Sequence, residues 1–180
     1  MRIGFIGLGN VGYKLANSLI SAGHNIYVHD LEKNNANDLI KSGADWVETP
    51  KELAAASDIA ITCLPSPTAV ADVVEGPNGL VHGMSEGKVW IEMSTTDSKE
   101  MLRLGTIMEK IGVHCCEAPV SGGCHRAATG NIAILVGGSR TAFDLAFPAL
   151  KAMGYQILHV GELGKASVLK VVTNYLASTH

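Results

Sequence analysis

Positive charge is in short supply in this chain. Fourteen Lys and Arg face seventeen Asp and Glu, a net charge of −3, so no basic surface is expected for nucleic acid or an anionic membrane. Long uncharged apolar runs are missing too, and no membrane-spanning helix is expected. Cysteine is sparse: Cys63, Cys115, Cys116 and Cys124, with no C-x-x-C pair among them. Cys115 and Cys116 are adjacent and would alternate across a strand. That pattern predicts reduced thiols in a cytosolic protein and no metal site. The opening MRIGFIG is interrupted by glycine at once and reads as a strand, not as a signal peptide.

What is present is alternation. Apolar residues make up 47 % and charged residues 17 %, ordinary for one compact domain or one domain plus part of another. Strands are predicted at 2–6, 25–30, 46–48, 58–64, 88–93, 113–118, 131–138 and 155–160. Helices are predicted at 11–22, 31–42, 50–56, 97–111, 139–153 and from about Lys165 onward. The strand DIAITCL is apolar without a break, the mark of burial on both faces. The expected fold is α/β, a Rossmann-type doubly wound and mostly parallel sheet. Its last element is an apolar helical pattern with no cap or breaker, which suggests a partner for that helix in a downstream domain or another subunit.

The most informative stretch is IGLGNVG. Gly7, Gly9 and Gly12 are spaced G-x-G-x-x-G after a strand and before a helix. In that setting the first glycine allows a tight turn, the second lets a pyrophosphate approach the backbone, and the third lets helix and strand pack closely. The helix N-terminus offers free N–H groups to phosphate. Asp30 ends the second strand, 18 residues after Gly12. An acid there accepts hydrogen bonds from a ribose and repels the extra phosphate of NADP, which favours NAD. A glycine turn followed by a capping Asp is the plainer reading.

Three further stretches follow strand ends, where such sheets bind ligands. CLPSP (63–67) either lines the cofactor with the backbone of Leu64 and Pro65 or simply ends its strand. In EMSTTD (92–97), Ser94, Thr95 and Thr96 either meet a ribose, a carboxamide or a substrate oxygen, or supply the N-cap of the next helix. EAPVSGGCHRAATGN (117–131) is a polar, glycine-containing loop in which Ser121, Gly122 and Gly123 can converge on an anion such as a carboxylate. On the final helix Ser167, Lys170 and Asn174 share one face among valines and leucines. Burial there either tunes Lys170 for proton transfer, or Lys170 extends over apolar surface to reach water.

Taken in order, these segments resemble the β-hydroxyacid dehydrogenase family, specifically its 3-hydroxyisobutyrate dehydrogenase branch. GFIGLGNVG…AGH resembles the family's cofactor fingerprint and CLP its second cofactor loop. MSTTDS resembles its Ser-Thr segment, EAPVSGG its substrate segment, and GELGKASVLKVVTN its catalytic helix. The resemblance implies Lys170 as the catalytic acid/base, Ser121, Gly122 and Gly123 as the carboxylate site, and Asn174 as an orienting residue. It implies cofactor contacts from Gly7, Leu8, Gly9, Asn10, Val11, Gly12, Asp30, Leu31, Leu64, Pro65 and Thr95. This sequence departs from the family pattern in carrying Ser98 for a proline, Ala166 for a glycine and Thr173 for the first of two asparagines.

The expected organisation is an NAD-binding domain over 1–163, followed at 164–180 by the start of an interdomain helix leading to an all-helical domain. The expected protein is an NAD-dependent oxidoreductase of a small 3-hydroxy carboxylate, homo-oligomeric, in the cytoplasm or an organelle matrix, with no nucleic-acid or membrane partner. The alternatives are a non-catalytic NAD-binding module and a decarboxylating enzyme like 6-phosphogluconate dehydrogenase.

Overall fold

The computed structural model describes residues 1–178, with only the backbone described for residues 123–125 and 177. Its strands are β1 (Arg2–Ile6), β2 (Asn25–His29), β3 (Asp45–Trp46), β4 (Ile59–Thr62), β5 (Val89–Glu92), β6 (His114–Glu117), β7 (Val120–Ser121), β8 (Ala133–Gly137) and β9 (Gln156–Gly161). Its α-helices are α1 (Gly12–Ser21), α2 (Asn37–Lys41), α3 (Pro50–Ala56), α4 (Pro67–Glu75), α5 (Ser98–Glu109), α6 (Gly123–Ala128), α7 (Arg140–Met153) and α8 (Lys165–Ser178).

All nine strands form one sheet, with β3-β2-β1-β4-β5-β6 in parallel. β1 therefore lies between β2 and β4, the point where strand order reverses and where such sheets open a crevice. The parallel pattern ends at β8, which runs antiparallel to β6 and to β7, while β9 lies parallel to β8.

Strand alternation sorts the core into two layers. Ile3, Phe5, Ile61, Ile91 and Cys116 face one side, where Leu15 and Leu19 of α1 and Phe143, Ala146 and Leu150 of α7 cover them. Ile6, Ala60, Trp90 and Cys115 face the other, under Leu53 of α3, Val70 and Val74 of α4 and Leu104 and Met108 of α5. Each large side chain so buried contributes roughly 1.5–3 kcal/mol. Cys115 and Cys116 thus lie on opposite faces. Both are buried free thiols, and burial raises both above the usual range, Cys116 up to about 12.

Several boundaries differ from those predicted. α4 sits where only a break was expected. Pro67 lies in the expected break after β4 but occupies the first helical position, behind Ser66, whose hydroxyl accepts from Ala69 N at 3.1 Å; proline is pre-set for that place. The expected helix at 31–42 divides into a 3-10 turn at Lys33–Ala36 and the short α2. The side chain of Asp30 accepts from Glu32 N at 2.9 Å and Asn35 Nδ2 at 3.2 Å, tying that first turn locally. The 117–131 segment is not all loop, since it folds into β7 and the single-turn α6. The third strand is Asp45–Trp46 and not 46–48.

Gly12 is where the glycine turn and the sheet meet most closely. A Cβ there would lie 1.9 Å from the carbonyl oxygen of Gly7, whereas one at Gly9 would meet nothing within 4 Å. Gly12→Ala is therefore expected to destabilise the protein by about 1–3 kcal/mol, through a forced backbone shift. Gly9→Ala should stay within about 0.5 kcal/mol of the parent. Urea denaturation of the two variants checks this, and equal stability losses would contradict it.

Candidate functional site

Gly7 lies at the end of β1 with φ +95°, a left-handed conformation that glycine adopts without penalty. A Cβ there would also stand 2.2 Å from Cys63 O, at the end of β4. The turn passes through Leu8, Gly9, Asn10 and Val11 into α1, with Gly9 and Asn10 exposed. α1 begins with no side-chain cap and no acid in its first turn. By contrast α3, α4, α5 and α7 are capped by Thr49, Ser66, Asp97 and Ser139. The first turn of α1 therefore presents donors and a positive dipole end to whatever anion lies over Gly9.

Asp30, just past β2, stands beside this turn. Its Oδ2 accepts from Leu8 N at 2.6 Å, so the acid braces the glycine loop in addition to holding the turn that follows it. Leu31 is 97 % exposed and offers an apolar surface beside the acid.

The expected loops after β4 and β5 are joined to each other. Ser94 Oγ accepts from Leu64 N at 2.7 Å, and Ser94 N donates to Glu92 Oε1 at 2.6 Å. Thr62 Oγ1 pairs with Glu92 Oε2 and accepts from Trp90 Nε1 at 3.0 Å. Leu64 N–H is thus already used inside the protein, and Pro65 has none. These two residues can offer only carbonyl and side-chain surface to a cofactor. None of Ser94, Thr95 and Thr96 caps α5, because that role falls to Asp97, which accepts from Glu100 N at 2.9 Å. Thr95 is exposed and free to meet a ligand. Thr96 is buried, and its hydroxyl is the orphan among the described buried side-chain atoms.

Glu92 and Glu117 are partners in the β5–β6 register, 0 % and 1 % exposed, on the face that carries Trp90 and Cys115. No cation pairs with either among the described ion pairs. Burial, and then the neighbouring Glu117, push Glu92 up to about 7, against the pull of its bonds to Ser94 and Thr62. Glu117 turns to α8, where Oε1 accepts from Ala166 N at 2.7 Å and Oε2 from Ser167 Oγ. Ser167, predicted on the Lys170 face, is therefore taken up by Glu117. Sequence reading gave neither glutamate a role, though both end strands that the register aligns.

Lys170 is half-buried on α8, and burial lowers its pKa from the ordinary lysine value. No ion pair involves it among the described residues. Asn174, one turn on, is exposed. Ser121 is half-buried on β7 opposite Ala133. Gly122 follows it at φ +124° and Gly123 opens α6. The side-chain surroundings of residues 123–125, Cys124 among them, lie outside the described residues. No group of three His, Cys, Asp or Glu suited to a metal occurs among the described residues, nor does a helix long and apolar enough to cross a membrane.

The glycine turn, Asp30 and the Leu64 and Ser94 loops follow the carboxyl ends of parallel strands, and Glu117 is the last residue of another, all along one edge of the sheet. A family model described as the NAD binding domain of 6-phosphogluconate dehydrogenase matches residues 2–161. The chain is 36 % identical over 176 residues to a 2-(hydroxymethyl)glutarate dehydrogenase from Eubacterium barkeri, covering 98 % of the chain and 58 % of that protein. It is 37 % identical over 172 residues to the Dictyostelium discoideum protein named "Probable 3-hydroxyisobutyrate dehydrogenase, mitochondrial", covering 96 % and 54 %. Among solved structures, the Mycobacterium tuberculosis 3-hydroxyisobutyrate dehydrogenase with L-serine superposes with a TM-score of 0.91 at 28 % identity, covering 98 % of this chain and 60 % of that one. The chain thus spans somewhat more than half the length of these relatives.

The position of Glu92 has a pH signature. A carboxyl whose folded value exceeds its unfolded one binds a proton more readily when folded, so its contribution falls as pH rises from the unfolded 4.5 towards about 7. The loss is on the order of 1–3 kcal/mol. Glu92→Gln keeps an acceptor for Ser94 N and, without a charge, turns round the bond from Thr62 Oγ1, its amide donating where the carboxyl accepted. It is expected to flatten the stability profile across this window and to exceed the parent above pH 7. Denaturation midpoints measured from pH 4 to 8 test this, and parallel profiles would refute it.

Proposed function

The chain belongs to the family of NAD-binding domains described for 6-phosphogluconate dehydrogenase, as the N-terminal domain of a β-hydroxyacid dehydrogenase, and from that premise we propose the reaction it serves. The reaction is the reversible NAD-dependent oxidation of a small 3-hydroxy carboxylate to its aldehyde or keto acid. The observation that carries this reading is Lys170, a half-buried lysine lowered by burial, on the helix tied to the sheet edge that bears the glycine turn. Burial that lowers a lysine makes its ammonium a readier proton donor and its free amine, the form that accepts, easier to reach, and no carboxylate pairs with Lys170 among the described ion pairs.

The residues of this chain fit NAD. The uncapped start of α1 would hold the pyrophosphate through the backbone of Gly9, Asn10, Val11 and Gly12, with Gly7 making the turn, while Leu8, whose N–H is taken by Asp30 Oδ2, can offer only carbonyl and side-chain surface. Asp30 would accept from the adenosine ribose and disfavour a 2′-phosphate, while Leu31 would cover the adenine. Leu64, Pro65 and Thr95 would line the nicotinamide half. Once bound, NAD supplies the hydride acceptor. Lys170 takes the hydroxyl proton on oxidation and returns it on reduction, and its charge stabilises negative charge developing on that oxygen. Ser121 and the backbone of Gly122 and Gly123 hold the substrate carboxylate, and Asn174 orients the substrate.

In this reading residues 1–163 form the NAD-binding domain, and 164–180 begin the helix that leads into a second, all-helical domain. Val168, Val171 and Val172 on α8 stand exposed, the apolar face such a domain or a second subunit would cover, and the complete protein is a homo-oligomer. We place it in the cytoplasm or an organelle matrix; one relative carries a mitochondrial name. A phosphorylated sugar acid as substrate, the reading that the family description offers, would need more basic groups than the exposed Arg126 and Lys165 supply.

Calorimetry with NAD and NADP tests the cofactor half. NAD is expected to bind more tightly than NADP, and Asp30→Ala should weaken NAD by about tenfold or more, about 1.4 kcal/mol. Lys170→Ala tests the chemistry. NAD affinity should stay within about twofold, while turnover of 3-hydroxy acids drops by about 10²–10⁴-fold. Both variants are compared in the protein complete with its helical domain: undiminished turnover would remove Lys170 from its role, and a complete protein that binds NAD but oxidises none of these acids would favour a non-catalytic module.

A further inference from the structure

Where a side chain meets the first turn of a helix in this protein, it does so in one of two ways. α3, α4, α5 and α7 use the residue immediately before the helix. Such a cap satisfies an N–H but travels with the helix, so it says nothing about where the helix stands. α8 is held instead by Glu117, which is 49 residues from Ala166 and 50 from Ser167 and belongs to the sheet itself. Both carboxylate oxygens are committed to that first turn. A bond of this length in sequence fixes the helix relative to β6.

The surroundings fit a tether. Glu117 is 1 % exposed, so water does not compete for its oxygens. Gly137, its register partner on β8, makes the room: a Cβ there would lie 2.5 Å from Glu117 Oε1. The carboxyl at this point also faces the N-terminal end of a fourteen-residue helix, where free backbone N–H groups call for an acceptor. The rest of α8 is weakly held. It touches β8, β9 and α5, but Val168, Val171, Val172 and Tyr175 are exposed. Lys170 follows Ser167 by three residues, one turn beyond the tether.

We infer that Glu117 is a positioning residue, which acts through the first turn of α8 to set where Lys170 stands relative to the cofactor edge of the sheet. The inference rests on Lys170 being the acid/base proposed above. Glu117 need touch neither substrate nor cofactor. Its work is done by two hydrogen bonds, so a neutral side chain able to make both should serve. Glutamine can accept from Ala166 N and donate to Ser167 Oγ; alanine can do neither.

The test uses the full chain with its lysines converted to ¹³C-dimethyl-lysine and titrated by NMR, the Lys170 signal being assigned by its absence in Lys170→Arg. Burial is the cause of the lowered Lys170 value, so a helix that loses its tether should let Lys170 reach water and titrate higher. The expected result is an upward shift of about half a pH unit or more in Glu117→Ala. Glu117→Gln should titrate as the parent does, and Ser167→Ala, which removes one of the two bonds, should fall between them. Circular dichroism establishes that each variant is folded. Should Glu117→Ala fail to fold, the comparison of Ser167→Ala with Glu117→Gln decides. An unmoved Lys170 in the folded Ala variants, or equal shifts for Ala and Gln at position 117, overturns the inference. NAD calorimetry on the same samples keeps the questions apart: loss of NAD binding by the parent would count against the proposed function, whereas the titration bears only on the tether.

Discussion

Two carboxyl groups lie side by side inside this protein, paired with no cation among the described ion pairs, and the candidate site is arranged around how that is tolerated. An isolated buried charge is prohibitively costly, and two like charges at neighbouring register positions are worse. The strain is relieved in different ways at the two positions. Glu92 is driven towards its protonated form and sits in a chain of donors and acceptors running from Trp90 through Thr62 to Ser94 and Leu64. Glu117 is met by a helix N-terminus. As a result the loops after β4 and β5, the end of β6 and the start of α8 are parts of one connected network.

That network divides labour along the sheet edge. On one side the glycine turn leaves its helix N-terminus open, the condition for receiving an anion from outside. On the other, α8 has its N-terminus closed from within by Glu117. The middle is rigid: Leu64 and Ser94 are bonded to each other, so the surface they offer is preformed. An open end beside a closed end suits a site where a charged, flexible cofactor arrives and a proton-transfer group must already be in place.

Much of this was legible in the sequence. The G-x-G-x-x-G spacing, the apolar run at 58–64 and the acid at Asp30 define a doubly wound sheet and its crevice because each reports a local requirement. Less legible were features that depend on a distant partner. Pro67 reads as a breaker until Ser66 is seen capping behind it. The reversal of β8 arises in a glycine-containing segment whose polar residues look like loop. Glu92 and Glu117 are unremarkable as letters; only the register of two strands brings them together, and only the return of the chain at Ala166 gives Glu117 its partner. Ser167 shows the limit of helical periodicity. The spacing put it on the face of Lys170, but the strand below claimed its hydroxyl.

The paired cysteines of β6 have a use that their inertness conceals. Cys115 and Cys116 report from opposite layers of the core, one beneath α5 and the other beneath α7. Both residues are almost wholly buried, and neither thiol is readily ionised while its own layer is closed. Reaction of each with a small electrophile therefore clocks the opening of one layer independently of the other. Two adjacent residues in the chain thus act as separate stopwatches, and whether the two faces of the sheet come apart together or in sequence is written in the order in which those thiols are consumed.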